Sequence, residues 1–88
     1  MLKHTLTIQN KLGLHARASA KLVAQASRFP CHIGIQRDGV EVNGKSIMGI
    51  MMLAAAQGTA ITLIADGEQE EQAIQSLTSL MANSRSTV

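Results

Sequence analysis

The chain has 88 residues, 45% of them hydrophobic and 16% charged, and a formal net charge of +2. This length and balance fit a single globular domain, residues 1–88, with a modest core, and they exclude a disordered chain. One Phe, no Trp or Tyr, and Lys and Arg scattered rather than clustered argue against nucleic acid, which needs stacking platforms or a basic patch.

The pattern opens with a half-buried strand, in which Leu2, Leu6 and Ile8 alternate with Lys3, Thr5, Thr7 and Gln9. Asn10 and Gly13 interrupt it. A helix is expected from about Ala16, where Leu22, Val23, Ala26 and Phe29 form an apolar stripe below Ser19, and Pro30 ends it. Cys31, Ile33 and Ile35 suggest a second strand. The Asp38–Gly39 pair is a hairpin signal leading into a third strand at Val40–Val42. Ser46 is the expected N-cap of a short helix that runs to about Ala56 and stops at Gly58. A fourth strand covers 59–65. A last helix begins in the acidic run Asp66, Glu68, Glu70 and Glu71, where the dipole favours negative charge. It buries Ala73, Ile74, Leu77, Leu80 and Met81 and ends near Arg85, with 83–88 as a frayed tail. The order β-α-β-β-α-β-α, with one hairpin and three one-sided helices, predicts a two-layer α+β sandwich.

With so little aromatic bulk the core is expected to be aliphatic and methionine-rich. Cys31 is the only cysteine, which forbids an internal disulfide and fits a reducing, cytoplasmic compartment. The alternating opening "MLKHTLTIQNK" lacks the continuous apolar stretch expected of a signal peptide, and no stretch has the apolar length to cross a bilayer. His4, His32 and Cys31 match no zinc spacing, so no metal and no cofactor are expected.

"GVEVNGKS" fits the phosphate-loop pattern G-x-x-x-x-G-K-[ST] through Gly39, Gly44, Lys45 and Ser46. Its middle residues, however, read as a strand. An extended strand cannot also turn successive amides onto a phosphate, so nucleotide binding is rejected.

"NKLGLHARASAK" carries a sharper signal. His15 stands just before a helix start, where the free amides of Ala16 and Arg17 make an anion site. The helix dipole there disfavours imidazolium. Arg17 can clamp phosphate oxygens with its planar guanidinium. Nucleophile, anion hole and guanidinium thus fall within three residues; a surface His at a cap beside a solvated Arg is the bland alternative.

"GLHARASAKLV" and "NGKSIMGIMMLAA" resemble the two signatures of the histidine-containing phosphocarrier family, HPr, of the bacterial phosphoenolpyruvate-dependent sugar phosphotransferase system. The resemblance covers nearly the whole chain. It implies an open-faced sandwich: a four-stranded antiparallel sheet in order 1-4-2-3 with three helices on one face. It implies a phosphoryl carrier with a phosphohistidine intermediate, not an autonomous enzyme. His15 would accept the group on Nδ1 from phosphorylated Enzyme I and pass it to IIA domains of sugar permeases, with Arg17 stabilising the phosphate. The alternative is a nitrogen-type regulatory member that signals through a phosphorelay.

Ala18 stands where many members of that family have proline, and Ala24 and Ser27 where lysines are common. Docking charge therefore falls on Arg17, Lys21, Arg28 and Lys45. Docking is expected to use Ala16, Arg17, Ala20 and Lys21 on the first helix. On the second it is expected to use Lys45, Ile47, Met48, Gly49 and Met51, with Ile50 and Leu53 as core anchors. Methionines suit a surface that repacks against several partners. Ser46 would be a regulatory phosphorylation site for an HPr kinase/phosphorylase. The protein is expected to act as a monomer, without nucleic acid and without membrane insertion.

Overall fold

The computed structural model describes residues 1–9 and 11–82. Asn10, the 83–88 tail and Arg85 lie outside the described residues. The elements are β1 (Leu2–Thr7), α1 (Ala16–Ala26), β2 (His32–Arg37), β3 (Val40–Asn43), α2 (Ile47–Met52), β4 (Ala60–Asp66) and α3 (Glu70–Ala82). The strands form one sheet in the order β1-β4-β2-β3, and every neighbouring pair is antiparallel. This is the expected order and the expected open-faced sandwich.

Alternation fixes which face of the sheet is covered. Ile33 and Ile35 of β2 and Ile61, Leu63 and Ala65 of β4 are buried beneath the helices, and Ile35 sits opposite Leu63 in register. On the open face Thr5 and Thr62 are register partners whose hydroxyls lie 3.0 Å apart. Asp38 and Gly39 have φ of 52° and 82°, the left-handed pair of a tight hairpin turn between β2 and β3.

Three boundaries differ from the sequence expectation. Regular helix in α1 ends at Ala26, before Phe29. The amides of Arg28 and Phe29 instead bond three residues back, to Gln25 and Ala26, which tightens the last turn. Pro30 disfavours helical φ/ψ at Phe29, so the chain leaves the axis there. The second helix stops at Met52, not near Ala56. Ala54 turns left-handed with φ 50°, and Arg37 Nη1 donates to the carbonyls of Leu53 (2.6 Å) and Ala54 (3.3 Å). A tertiary cap thus ends a helix that the local sequence would extend. Gly58, with φ 88°, belongs instead to a turn whose amide bonds Ile8 O at 2.9 Å. Finally, Asp66 closes β4 rather than opening the last helix, and of the acidic run only Glu70 and Glu71 lie in the first turn of α3.

The core is aliphatic. Ile8, Leu22, Ile33, Ile35, Ile50, Ile61, Leu63 and Leu77 are its largest fully buried side chains. The expected methionine-rich core does not form. Met81 is buried, whereas Met1, Met48, Met51 and Met52 are exposed. The short α2 turns Ile50 inward and leaves its methionines on the outer side.

Glu70 shows a titration that stability can report. Its Oε1 accepts from Gly67 N at 3.0 Å and lies 3.2 Å from the α-amino group of Met1. The Gly67 amide first, and then the amino group, hold this carboxyl below the ordinary carboxylate range. A lowered folded value stabilises the fold above the ordinary range, and the contribution disappears as pH falls through the lowered one. Thermal melts of wild type and Glu70→Gln are therefore expected to differ at neutral pH and to converge in acid. A gap that stays constant with pH would contradict the assignment.

Candidate functional site

The site is assembled where the β1–α1 loop meets the segment after α2. Ile8 and Gly58 anchor the entry: Ile8 N bonds Thr59 O and Gly58 N bonds Ile8 O, each at 2.9 Å. Further along, Leu14 N bonds Ala55 O at 2.9 Å. Gly13 passes so close to this segment, at φ 67°, that a Cβ would lie 2.3 Å from Ala55 O and 2.8 Å from Ala56 Cα. Only glycine accepts both the left-handed backbone and that approach.

This anchoring delivers His15 as the N-cap residue of α1, in extended conformation (φ −78°, ψ −178°). The first intrahelical bond runs from Ser19 N to His15 O at 2.8 Å, so the amides of Ala16 and Arg17 precede the helical ladder. Ser19, fully buried, also donates from Oγ to Leu14 O at 3.2 Å, which ties the loop to the first turn. The His15 side chain makes no capping hydrogen bond. Its ring is half-buried, with Nε2 enclosed and without a partner. Ala16 and Arg17 are exposed, and no acidic residue stands in the first turn to compete for an anion. The structure therefore places the predicted nucleophile, the free amides and the exposed Arg17 at one helix start.

The second predicted stretch flanks this site, because α2 packs beside α1. Ser46 caps α2 in extended conformation, its Oγ accepting from Gly49 N at 3.1 Å. A Cβ at Gly49 would approach that hydroxyl to 3.3 Å, so glycine keeps the cap uncrowded. Ile50 and Leu53 point into the core as expected, while Ile47, Met48 and Met51 face outward. Met52, at 79% exposure, joins them and was not among the expected docking residues. Its signal was present in the sequence, one helical turn after Met48. On α1, Ala20 is exposed and Lys21 half-buried. Lys45 is held: its Nζ donates to Phe29 O at 2.7 Å and its amide to Asn43 Oδ1 at 2.8 Å. Lys45 thus staples the α2 entry to the α1–β2 turn.

The residues of "GVEVN" lie in the hairpin turn and β3, so the phosphate-loop match has no loop to form. His32 Nε2 lies 3.1 Å from Glu41 Oε2, and the Cys31 thiol is buried. No described helix is long and apolar enough to cross a membrane.

Residues 2–83 match the family described as PTS HPr component phosphorylation site. The phosphocarrier protein HPr of Xylella fastidiosa is 55% identical over 83 residues, covering 94% of this chain and 93% of its own. The HPr-like protein Crh of Bacillus subtilis is 44% identical, covering 88% of this chain and 91% of its own. A crystal structure of HPr from Thermoanaerobacter tengcongensis superposes with a TM-score of 0.94 at 43% identity, over 100% of this chain and 99% of that one. With a family match across nearly all residues and relatives above half identity, the chain belongs to the HPr family of phosphocarrier proteins of the phosphotransferase system.

Proposed function

We propose that His15 accepts a phosphoryl group on Nδ1 from phosphorylated Enzyme I and passes it to IIA domains of sugar permeases. The observation that carries this reading is the uncapped helix start: His15 followed by the amides of Ala16 and Arg17, with no carboxylate in the first turn. For attack on phosphorus the Nδ1 lone pair must be free, which places the proton of the neutral ring on Nε2. The N–P bond on Enzyme I breaks as the new one forms at His15. The incoming phosphoryl oxygens meet the two amides and the Arg17 guanidinium, so the carrier contributes positioning and charge stabilisation. Docking uses Ala16, Arg17, Ala20 and Lys21 together with Ile47, Met48, Gly49 and Met51, and Lys45 holds the entry to α2. The carrier is read as a monomer.

Labelled phosphoenolpyruvate with Enzyme I is expected to label the protein, and a sugar-type IIA domain is expected to remove the label. No uptake would overturn the carrier reading. Release only to a nitrogen-type IIA would overturn the sugar assignment.

The same surface supports regulation at Ser46 by an HPr kinase/phosphorylase. A phosphate there keeps acceptor oxygens near the Gly49 amide, so the helix start tolerates it. It also places about −2 charge beside the apolar docking residues. Ser46→Asp is expected to retain the fold and slow transfer from Enzyme I by about tenfold, a cost of about 1.4 kcal/mol. Unchanged transfer kinetics in that variant would contradict the electrostatic account.

A further inference from the structure

Arg37 lies at the end of β2, and nothing in the chemistry above uses it. Its Nη1 donates to Leu53 O at 2.6 Å and to Ala54 O at 3.3 Å. Those carbonyls follow the last turn of α2 and have no further helix to bond. Between them and the next residues the backbone makes its left-handed bend at Ala54, φ 50°, a conformation that a residue with a Cβ adopts only when its surroundings hold it there. The bend presents Ala55 O to Leu14 N at 2.9 Å and brings the 55–56 backbone against Gly13. Leu14 directly precedes His15, and its carbonyl accepts from Ser19 Oγ at 3.2 Å. A continuous series of bonds thus runs from the Arg37 guanidinium, through the 53–55 backbone, to the residue before His15.

Competing partners for Arg37 are weak. Asp38 Oδ2 is 3.6 Å from Nε, and its own side chain is 87% exposed. The Nε atom itself is enclosed and makes no hydrogen bond, so the guanidinium is oriented by the carbonyls and not by a carboxylate in fork geometry.

We propose that Arg37 is a positioning residue for phosphoryl transfer: by clamping the Leu53 and Ala54 carbonyls it fixes Ala55 against Leu14 and so sets the place of His15. The proposal rests on the reading of His15 as the phosphoryl acceptor. Loosening the clamp is expected to widen the range of His15 positions without removing any group that meets the phosphate.

The test compares wild type, Arg37→Ala, Arg37→Lys and Ile61→Val, the last a buried β4 substitution outside this series that serves as a stability control. Steady-state transfer from phosphorylated Enzyme I and amide exchange at Leu14 are measured in each. Arg37→Ala is expected to lower kcat by about tenfold with KM for Enzyme I little changed. It is also expected to speed exchange at Leu14 more than at core amides such as Leu63. Arg37→Lys, which restores one donor, is expected to recover part of both. Ile61→Val is expected to leave both at wild-type values. If wild type transfers normally and Arg37→Ala matches it in kcat and Leu14 exchange, the positioning role is wrong. If Ile61→Val falls as far as Arg37→Ala, the effect is general stability and the role is equally wrong. Failure of wild type to take up phosphate would instead overturn the reading of His15.

Discussion

Replacing His15 with alanine is expected to abolish phosphoryl acceptance while leaving the fold as stable as wild type, within about 1 kcal/mol. Both halves follow from the same geometry. The side chain makes no capping bond, and Nε2 is enclosed without a partner, so its removal breaks no side-chain hydrogen bond. A buried, unsatisfied polar atom costs about 1–3 kcal/mol, which offsets the packing that the ring provides. His15→Asp sharpens the point. The backbone there is already extended, as an N-cap requires, and α1 has no acidic residue in its first turn. A carboxylate at that place accepts from the free amides and favours the helix dipole. A gain of about 0.5–2 kcal/mol is expected, together with complete loss of acceptance. Melting curves alongside transfer assays check the pair. If His15→Ala unfolds the protein, or if His15→Asp is clearly destabilised, the amides at the helix start are not free as described.

Gly13→Ala is expected to be the most damaging single change to the scaffold of the site. A Cβ there meets Ala55 O at 2.3 Å, a backbone atom that cannot rotate away, and the residue must also hold φ 67°. Left-handed strain of about 1–2 kcal/mol adds to the lost Leu14–Ala55 hydrogen bond of about 1 kcal/mol. A total of about 2–3 kcal/mol corresponds to a drop in Tm of about 10 °C or more for a domain of this size. Transfer should fall as well, because the loop that presents His15 must move. Gly39→Ala is the natural comparison: it has a positive φ of 82° but open space around it, so only the strain remains. Equal melting temperatures for these two variants would mean that the contact with Ala55 does not constrain the loop.

The sequence made the strands and the helix start that carries the proposed nucleophile legible, because both are written locally. Alternation placed β1 and β3, the Asp38–Gly39 pair placed the hairpin, and one helix start placed His15, Ala16 and Arg17 together. The limits of α2 were not local. "SIMGIMMLAAA" keeps helical propensity through Ala56, and what stops it is Arg37, sixteen residues before Leu53 in the chain. Gly13 looked like an ordinary loop breaker; its tight approach to Ala55 exists only once β1 and β4 have paired. The sequence turns Met48 and Met51 outward and both are exposed, while the expectation of a methionine-rich core fails for a related reason. A short helix with one inward position cannot bury them all, and its length was set by that distant cap. Lys45 reads as a docking charge, and nothing local in the sequence shows that its ammonium also binds the Phe29 carbonyl.

The central claim is that the His15 imidazole carries the phosphoryl group through Nδ1. Nitrogen-15 NMR of the protein labelled at histidine, recorded before and after reaction with phosphoenolpyruvate and Enzyme I, tests it most directly. The account predicts a single phosphorylated nitrogen, Nδ1 of His15, with His4 and His32 unchanged. A phosphorylated Nε2, a phosphate on another residue, or spectra identical before and after reaction would contradict it.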